Sequence, residues 1–248
     1  MKKVVIITGS SQGIGAATAL KAAAAGYQVC VNYLQNKPAA LAIVHAIKKL
    51  GQEAIAVQAD VSVEEDVVRL FTEVDERLGE LKALVNNAGV LDQAMPVEKM
   101  TAARINRMLT TNVTSYFLCA REAVKRMSTA HGGNGGAIVN VSSAAARLGS
   151  AHEYVDYAAS KGAIDTMTVG LAKEVATLGI RVNAVRPGFI YTQLHASSGD
   201  PDRVDRLKAQ LPMQRGGTVE EVANAIFWLL SEQASYSSGS FIDVAGGC

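Results

Sequence analysis

The chain has 248 residues, and its 24 Lys and Arg against 23 Asp and Glu leave a formal net charge of +1. This balance gives no electrostatic case for nucleic acid or an anionic membrane surface as a partner. No apolar run is long enough to span a bilayer, and the first one is too short for a signal peptide. Three widely spaced cysteines and four scattered histidines predict a reduced, cytoplasmic protein without a metal site.

Strand and helix patterns alternate along the chain. Branched apolar runs predict strands, and cap residues or proline open the helical patterns between them. Capping boxes are predicted at Ser62 with Glu65 and at Thr218 with Glu221. The predicted strands cover 4–8, 27–33, 54–59, 81–86, 137–141, 181–185 and 241–244, and the predicted helices cover 16–25, 38–50, 62–78, 101–127, 154–178 and 218–230.

This alternation is typical of one doubly wound α/β domain of the Rossmann type, with a parallel sheet and helices on both faces, over residues 1–248. Ligands of such sheets bind beyond the carboxyl ends of the strands. Any one polar strand end could be an ordinary turn, but several together predict a site. Small or polar residues follow five predicted strands, as a glycine turn and then as Asp60-Val61, Asn86-Asn87-Ala88-Gly89, Ser142-Ser143 and Pro187-Gly188.

The glycine turn after the first strand has the layout of a dinucleotide site. Gly9, Gly13 and Gly15 let the backbone turn sharply and approach a pyrophosphate, whose charge the amides of the next helix would hold. Three residues separate Gly9 from Gly13, so the spacing departs from the plain G-x-G-x-x-G pattern. Taken alone, the turn fits almost equally well a connection that only joins a strand to a helix.

Tyr157 and Lys161 are four residues apart in a predicted helix, so their side chains project from one face. An ammonium beside a phenol favours the phenolate and lowers the tyrosine pKa. A tyrosine tuned in this way can give a proton to a carbonyl oxygen or take one from an alcohol. An exposed Tyr–Lys pair on a helix is common, so this pattern also carries little weight alone.

Together, Thr8-Gly9-x-x-x-Gly13-Ile14-Gly15, Asn86-Asn87-Ala88-Gly89, Ser143, Tyr157-x-x-x-Lys161 and Pro187-Gly188 closely resemble the short-chain dehydrogenase/reductase family, in the right order over essentially the whole chain. The resemblance implies a Rossmann-type domain, a nicotinamide cofactor and hydride transfer between a carbonyl and an alcohol. It leans towards 3-oxoacyl-carrier-protein reductases and glucose-type sugar dehydrogenases without separating them.

The family's functional residues carry over to matching positions of this chain. The resemblance makes Tyr157 the acid/base, Lys161 the residue that holds the nicotinamide ribose and lowers the Tyr157 pKa, Ser143 the group that orients the substrate oxygen, and Asn112 part of a water relay. Cofactor contacts are expected from Tyr157 and Lys161 together with Gly9, Ser10, Gly13, Ile14, Gly15, Asn32, Tyr33, Asp60, Val61, Asn87, Ala88, Gly89, Pro187, Gly188, Ile190 and Thr192.

The spacing between Ser143 and Tyr157 is one residue longer than in the commonest family members. We assign the substrate-orienting role to Ser143, because the second serine of the Ser-Ser pair matches the family position, and Ser142 is expected to be a strand-end residue. The extra residue then falls near His152-Glu153-Tyr154, a loop that should border the substrate.

NADP is predicted over NAD, with NAD still possible. NAD-selective sites usually carry a carboxylate after the second strand, whereas this chain has Asn32 and Tyr33 there and no acidic residue before Glu53. Asn32, Ser10 and Lys37 are the candidate donors to a 2′-phosphate. No arginine stands at the usual place for this contact.

Residues 191–215 match the family's substrate lid. Their polar character would suit a polar or acyl-thioester substrate, but it would suit an ordinary solvated loop equally well. The resemblance implies a homotetramer built through the Asn112 and Tyr157 helices.

The alternative function is a nucleotide-sensing or scaffold protein of the same fold without turnover. Such a protein would be expected to have lost Ser143, Tyr157 or Lys161, and this chain retains all three.

Overall fold

A seven-stranded parallel sheet forms the centre of the computed structural model, which describes residues 3–248 apart from the side chains of His195 and Ser197. The strands found in these residues are β1 (Lys3–Ile7), β2 (Tyr27–Tyr33), β3 (Ala54–Gln58), β4 (Leu81–Asn86), β5 (Gly136–Val141), β6 (Ile180–Pro187) and β7 (Phe241–Val244). Their order in the sheet is β3-β2-β1-β4-β5-β6-β7, and every pairing is parallel. The fold class predicted from the alternation is therefore confirmed.

Helices cover both faces of the sheet. They are α1 (Gly13–Ala24), α2 (Lys37–Lys49), α3 (Glu64–Arg77), α4 (Ala102–Leu109), α5 (Ser115–Met127), α6 (Ala145–Leu148), α7 (Val155–Val175), α8 (Gln193–Ser197), α9 (Arg203–Leu207) and α10 (Val219–Leu230). One core packs α3, α5 and α7 against the sheet, and a second packs α1, α2 and α10 against the opposite face. Because side chains alternate along a strand, Val4 and Ile6 enter the first core while Val5 and Ile7 enter the second.

The long helix predicted over 101–127 is present but is not uniform. Thr101 caps it as predicted, its hydroxyl accepting from the Arg104 amide at 3.3 Å. Residues Thr110–Thr114 form a π-helical segment between α4 and α5. Such segments are frequent at functional sites, and this one contains Asn112.

The two predicted capping boxes have different outcomes. At Thr218 and Glu221 the box forms, with each side chain accepting from the other's amide. The box at Ser62 is wrong: α3 begins at Glu64, and the Ser62 hydroxyl donates instead to Asp60 Oδ1 at 2.6 Å. A carboxylate two residues away competes with the helix end for the same serine.

No helix within residues 3–248 is both long and apolar enough to cross a bilayer. The same residues bring together no group of three or more His, Cys, Asp or Glu side chains that could hold a metal ion.

Candidate active site

The carboxyl ends of the strands open into one cavity of about 790 Å³, within the range of small-molecule and cofactor sites. Its walls come from the glycine turn, from the segments after β2 to β6 and from α7. Besides Tyr157 and Lys161, fourteen of the predicted cofactor contacts line it, namely Gly9, Gly13, Ile14, Asn32, Tyr33, Asp60, Val61, Asn87, Ala88, Gly89, Pro187, Gly188, Ile190 and Thr192. Ser143, Tyr157 and Lys161 line the same cavity.

The glycine turn is shaped to bring its backbone close to a ligand. Gly9 and Gly13 have φ values of 60° and 57°, a conformation that side chains disfavour. A Cβ on Gly15 would lie 2.6 Å from the Asn87 side-chain nitrogen and 2.7 Å from the Gly9 carbonyl oxygen. Gln12 gives α1 no side-chain cap, so first-turn amides remain for an anion. This cradle fits the pyrophosphate of a dinucleotide.

The turn and the loop after β4 are held together through Thr8, a role that sequence reasoning missed. The buried Thr8 hydroxyl oxygen accepts from the amides of Asn87 and Ala88 at 2.9 and 3.0 Å. In return, the Asn87 side chain donates to the carbonyl oxygens of Thr8 and Gly9. Threonine directly before the first glycine was the available signal.

Ser10 and Asn32 do not have the free polar atoms that the sequence prediction gave them. Ser10 is fully buried, does not line the cavity, and donates to the Ile7 carbonyl at 2.7 Å. The Asn32 side chain accepts from the Gly9 amide at 3.0 Å and donates to the Ala59 carbonyl at 3.1 Å. These groups shape the glycine turn and are not available to a 2′-phosphate. Gly15 likewise supports the turn without lining the cavity.

Sequence reasoning also missed several lining residues at the β2 end of the cavity. The chain places no carboxylate directly after β2, and the residues that line the cavity there are uncharged. They are Leu34, Gln35 and Asn36 after β2, with Ser11 from the glycine turn. Ser11 lies between glycines that the motif already marks.

The two serines after β5 point to different partners. Ser142 is buried at the cavity wall, and its hydroxyl donates to Asp165 Oδ1 at 2.6 Å, with the Lys161 carbonyl oxygen 3.2 Å away. Ser143 lines the cavity, accepts from the Ala145 amide at 3.1 Å and hydrogen-bonds the Tyr157 side chain. This geometry places Ser143, and not Ser142, beside the phenol.

Burial governs the ionisation of Tyr157 and Lys161. It raises the pKa of Tyr157 to about 12, while the hydrogen bond with Ser143 opposes the rise. It lowers the pKa of Lys161 to about 7, while the charge of Asp165 opposes the fall. The net direction for Tyr157 is the reverse of the sequence prediction, because the loss of water on burial outweighs the hydrogen bond with Ser143.

Asn112 lies behind the cavity wall in the π-helical segment and is fully buried. Its amide pairs with the backbone of Val90, accepting at 2.8 Å and donating at 3.0 Å, and it also donates to Ser160 Oγ at 3.2 Å. A Cβ on Gly89 would lie 3.3 Å from Asn112 Oδ1 and 3.7 Å from Lys161 Nζ. The amide and the ammonium are therefore neighbours.

A buried ion pair fixes the start of α7, one residue before Tyr157. Arg104 Nε and Nη2 donate to the two carboxylate oxygens of Asp156 at 2.7 and 3.3 Å, and both side chains are less than a tenth exposed. Asp156 Oδ1 also accepts from the Tyr157 amide at 2.9 Å, and Arg104 Nη1 donates to the Gln93 carbonyl at 2.7 Å. Nothing in the sequence pattern marked this pair.

Comparison with known proteins identifies the family of the chain. The family described as Enoyl-(Acyl carrier protein) reductase matches residues 9–248. The uncharacterized oxidoreductase YgfF of Escherichia coli (strain K12) is 63% identical over 244 residues, covering 98% of this chain and 99% of its own length. The 3-oxoacyl-[acyl-carrier-protein] reductase FabG of Staphylococcus epidermidis is 35% identical over 247 residues, covering 100% of this chain and 99% of its own.

A solved structure shares the whole fold. A short-chain dehydrogenase from Burkholderia cenocepacia J2315, crystallised in complex with NADP, superimposes with a TM-score of 0.90 at 31% identity and covers 99% of this chain and 97% of its own. These matches span the glycine turn, the Tyr157 helix and residues 191–215 alike. The chain belongs to the short-chain dehydrogenase/reductase family of oxidoreductases.

Proposed function

We propose that this protein transfers hydride between NADP(H) and a carbonyl or alcohol substrate, with Tyr157 as the acid/base. The observation that carries the proposal is the convergence of Ser143, Tyr157 and Lys161 in the cavity that the glycine turn also lines. The nicotinamide supplies or accepts the hydride when it is bound. The chain's own residues hold the substrate oxygen and move its proton.

The ionisation of the site favours proton donation by Tyr157. With a pKa of about 12, the phenol is protonated at neutral pH and can give its proton to a carbonyl oxygen. The Ser143 hydroxyl would orient that oxygen. Lys161 Nζ, 5.7 Å from the centre of the Tyr157 ring, would stabilise the negative charge that develops on the Tyr157 oxygen as the proton leaves. Lys161 would also hold the nicotinamide ribose, and Asn112 would keep a relay water beside it.

The proposed preference for NADP rests on the β2 end of the cavity. Leu34, Gln35 and Asn36 line it without a carboxylate that would repel a 2′-phosphate, and Lys37 follows at the start of α2. The relative from Burkholderia cenocepacia was crystallised with NADP. Because Ser10 and Asn32 are occupied, Ser11, Gln35 or Asn36 are better placed to donate to the phosphate.

The experiment that tests this function measures NADPH and NADH consumption against acetoacetyl thioesters, sugars, diketones and activated aldehydes. The expected result is turnover of at least one class of carbonyl, with kcat/KM higher for NADPH than for NADH. Equal efficiency with both cofactors would contradict the NADP preference alone. Failure to bind either cofactor would contradict the whole proposal.

We infer that residues 191–215 form a substrate lid anchored by Arg203. This side chain lines the cavity, is 9% exposed, and pairs end-on with Glu153 through Nη1 at 3.1 Å. Its guanidinium also lies 5.0 Å from the ring centre of Tyr154 and 5.7 Å from that of Phe189. The backbone carbonyl of Glu153 accepts from the Met95 amide at 2.8 Å. The loop around Glu153, which holds the extra residue, therefore contacts residues 191–215 through Arg203 and the segment after β4 through Met95.

Glu153→Gln is expected to raise KM for the substrate roughly tenfold while kcat changes little, because a charge-assisted hydrogen bond of about 1.5–3 kcal/mol holds the lid. Steady-state kinetics at saturating NADPH measures this. The matched control is Lys208→Gln, which breaks an exposed ion pair with Asp205 inside the same segment and should leave KM unchanged. The same KM in both variants would argue against the anchor.

We also propose a homotetramer in the cytoplasm. Ile105, Leu109 and Phe117 are exposed apolar side chains on α4 and α5, and Cβ atoms on Gly162 and Gly170 of α7 would meet open space. Small residues of this kind allow close packing between helices of different subunits. Light scattering would test the assembly, and a monomeric mass would contradict it.

The unpaired cysteines fit a reducing compartment, which cell fractionation would check.

A further inference from the structure

The ammonium of Lys161 is held by two neutral acceptors deep in the protein. Lys161 is 3% exposed. Its Nζ donates to the Val141 carbonyl at 2.8 Å and to the Tyr116 hydroxyl at 3.3 Å. Neither partner carries a charge, so these two hydrogen bonds replace the water that the ammonium loses on burial.

Tyr116 belongs to α5 and so reaches Lys161 from a different helix than Tyr157, which shares α7 with the lysine. It is 1% exposed, and its hydroxyl donates to the same Val141 carbonyl at 2.9 Å. Because the Tyr116 hydroxyl directs its proton to the Val141 carbonyl, its oxygen can accept a hydrogen bond from Lys161. The ring centre of Tyr116 also lies 5.1 Å from Nζ, against 5.7 Å for the ring of Tyr157.

We propose that Tyr116 is a positioning residue for Lys161, holding Nζ against the Val141 carbonyl so that its remaining N–H faces the cavity. An ammonium has three N–H donors, and the two acceptors named above take two of them. The third is left for the side of Lys161 that lines the cavity with Tyr157. The catalytic consequence rests on the proposed function, whereas the effect on Lys161 itself does not.

The titratable groups around Lys161 determine how strongly the Tyr116 hydroxyl affects the pKa of the lysine. Among the described residues, the titratable groups that act on Lys161 are Tyr157 and Asp165 from its own helix and Tyr116 from α5. The Asp165 carboxylate forms an ion pair with Arg186 at 2.9 Å. Burial lowers the pKa of Lys161 to about 7, and losing an acceptor for the ammonium would lower that pKa further.

The test is Tyr116→Phe, which keeps the ring and removes only the hydroxyl. In protein labelled with ¹³C at lysine Cε, the Lys161 signal, assigned with Lys161→Met, reports the titration directly. Its midpoint is expected to fall by about half a pH unit or more, roughly a threefold change in the ionisation constant. Tyr27→Phe, at a buried phenol at the start of β2, is the matched control and should leave the midpoint unchanged. An unchanged midpoint in Tyr116→Phe would overturn the proposal.

A kinetic readout separates positioning from packing. Carbonyl reduction should decline as pH rises and the Lys161 ammonium loses its proton, and in Tyr116→Phe this decline should begin at lower pH. A role in packing alone would lower the rate equally at every pH. If Tyr157→Phe retains wild-type turnover, the proposed function fails while the Lys161 titration still tests Tyr116.

Discussion

Tyr157→Phe is expected to lower kcat for carbonyl reduction by roughly 10³-fold, a typical contribution of a positioned general acid. The phenylalanine ring keeps the packing at the cavity wall, so NADPH affinity and thermal stability should change little. What disappears is the proton that the phenol, with its pKa of about 12, carries at neutral pH. The measurement is steady-state NADPH oxidation with the best substrate of the panel, at saturating concentrations of both reactants.

The control for this variant is again Tyr27→Phe, which removes a buried phenol hydroxyl at the start of β2, outside the cavity lining. It should retain wild-type kcat. Ser143→Ala should show an intermediate loss, because it removes a hydrogen bond to the substrate oxygen and leaves the acid in place. A Tyr157→Phe enzyme within a few fold of the wild type would show that another group supplies the proton.

Arg104→Met is expected to destabilise the fold by about 3–5 kcal/mol, because it leaves the Asp156 carboxylate buried without its partner. Both side chains of the pair are less than a tenth exposed, and Arg104 also holds the Gln93 carbonyl. Since Asp156 accepts from the Tyr157 amide, the start of α7 should loosen as well. Urea unfolding followed by circular dichroism measures the free energy of unfolding.

Arg107→Met provides the comparison on the same helix. Its ion pair with Asp92 is exposed on the arginine side, with 61% of that side chain accessible, and exposed pairs contribute about 0–1 kcal/mol. The double variant Arg104→Met/Asp156→Leu should recover much of the lost stability, because no charge then remains buried. An Arg104→Met protein within about 1 kcal/mol of the wild type would contradict the importance of the buried pair.

The order of strands and helices could be predicted from the sequence because local patterns determine it. Apolar runs of strand length alternate with helical patterns, and the bounds predicted for β2, β4 and β7 agree with the structure. The parallel sheet then follows, since strands separated by helices pair in parallel. In the same way, five polar strand ends had to meet at one edge, and this is where the cavity lies.

The Ser62 capping box and the free donors of Ser10 and Asn32 could not be judged in this way. Ser62 and Ser10 hydrogen-bond groups two and three residues away, and spacing alone does not show which of several nearby partners each hydroxyl takes. Asn32 donates to the Ala59 carbonyl, which only the folded chain brings into reach. The pKa of Tyr157 was predicted in the wrong direction for a related reason. Sequence spacing shows that Lys161 is a neighbour, but it does not show how completely water is excluded from both.

The sequence by itself determined the fold class and the family, and it predicted the glycine turn and the set of Ser143, Tyr157 and Lys161, because these depend on local periodicity and short motifs. Only the tertiary structure decided which contacts position that set. Asp156 meets Arg104, Arg203 meets Glu153, and Lys161 meets Tyr116. These partners are 45 to 52 residues apart, and packing of helices and loops on a shared sheet, not any local pattern, brings them together.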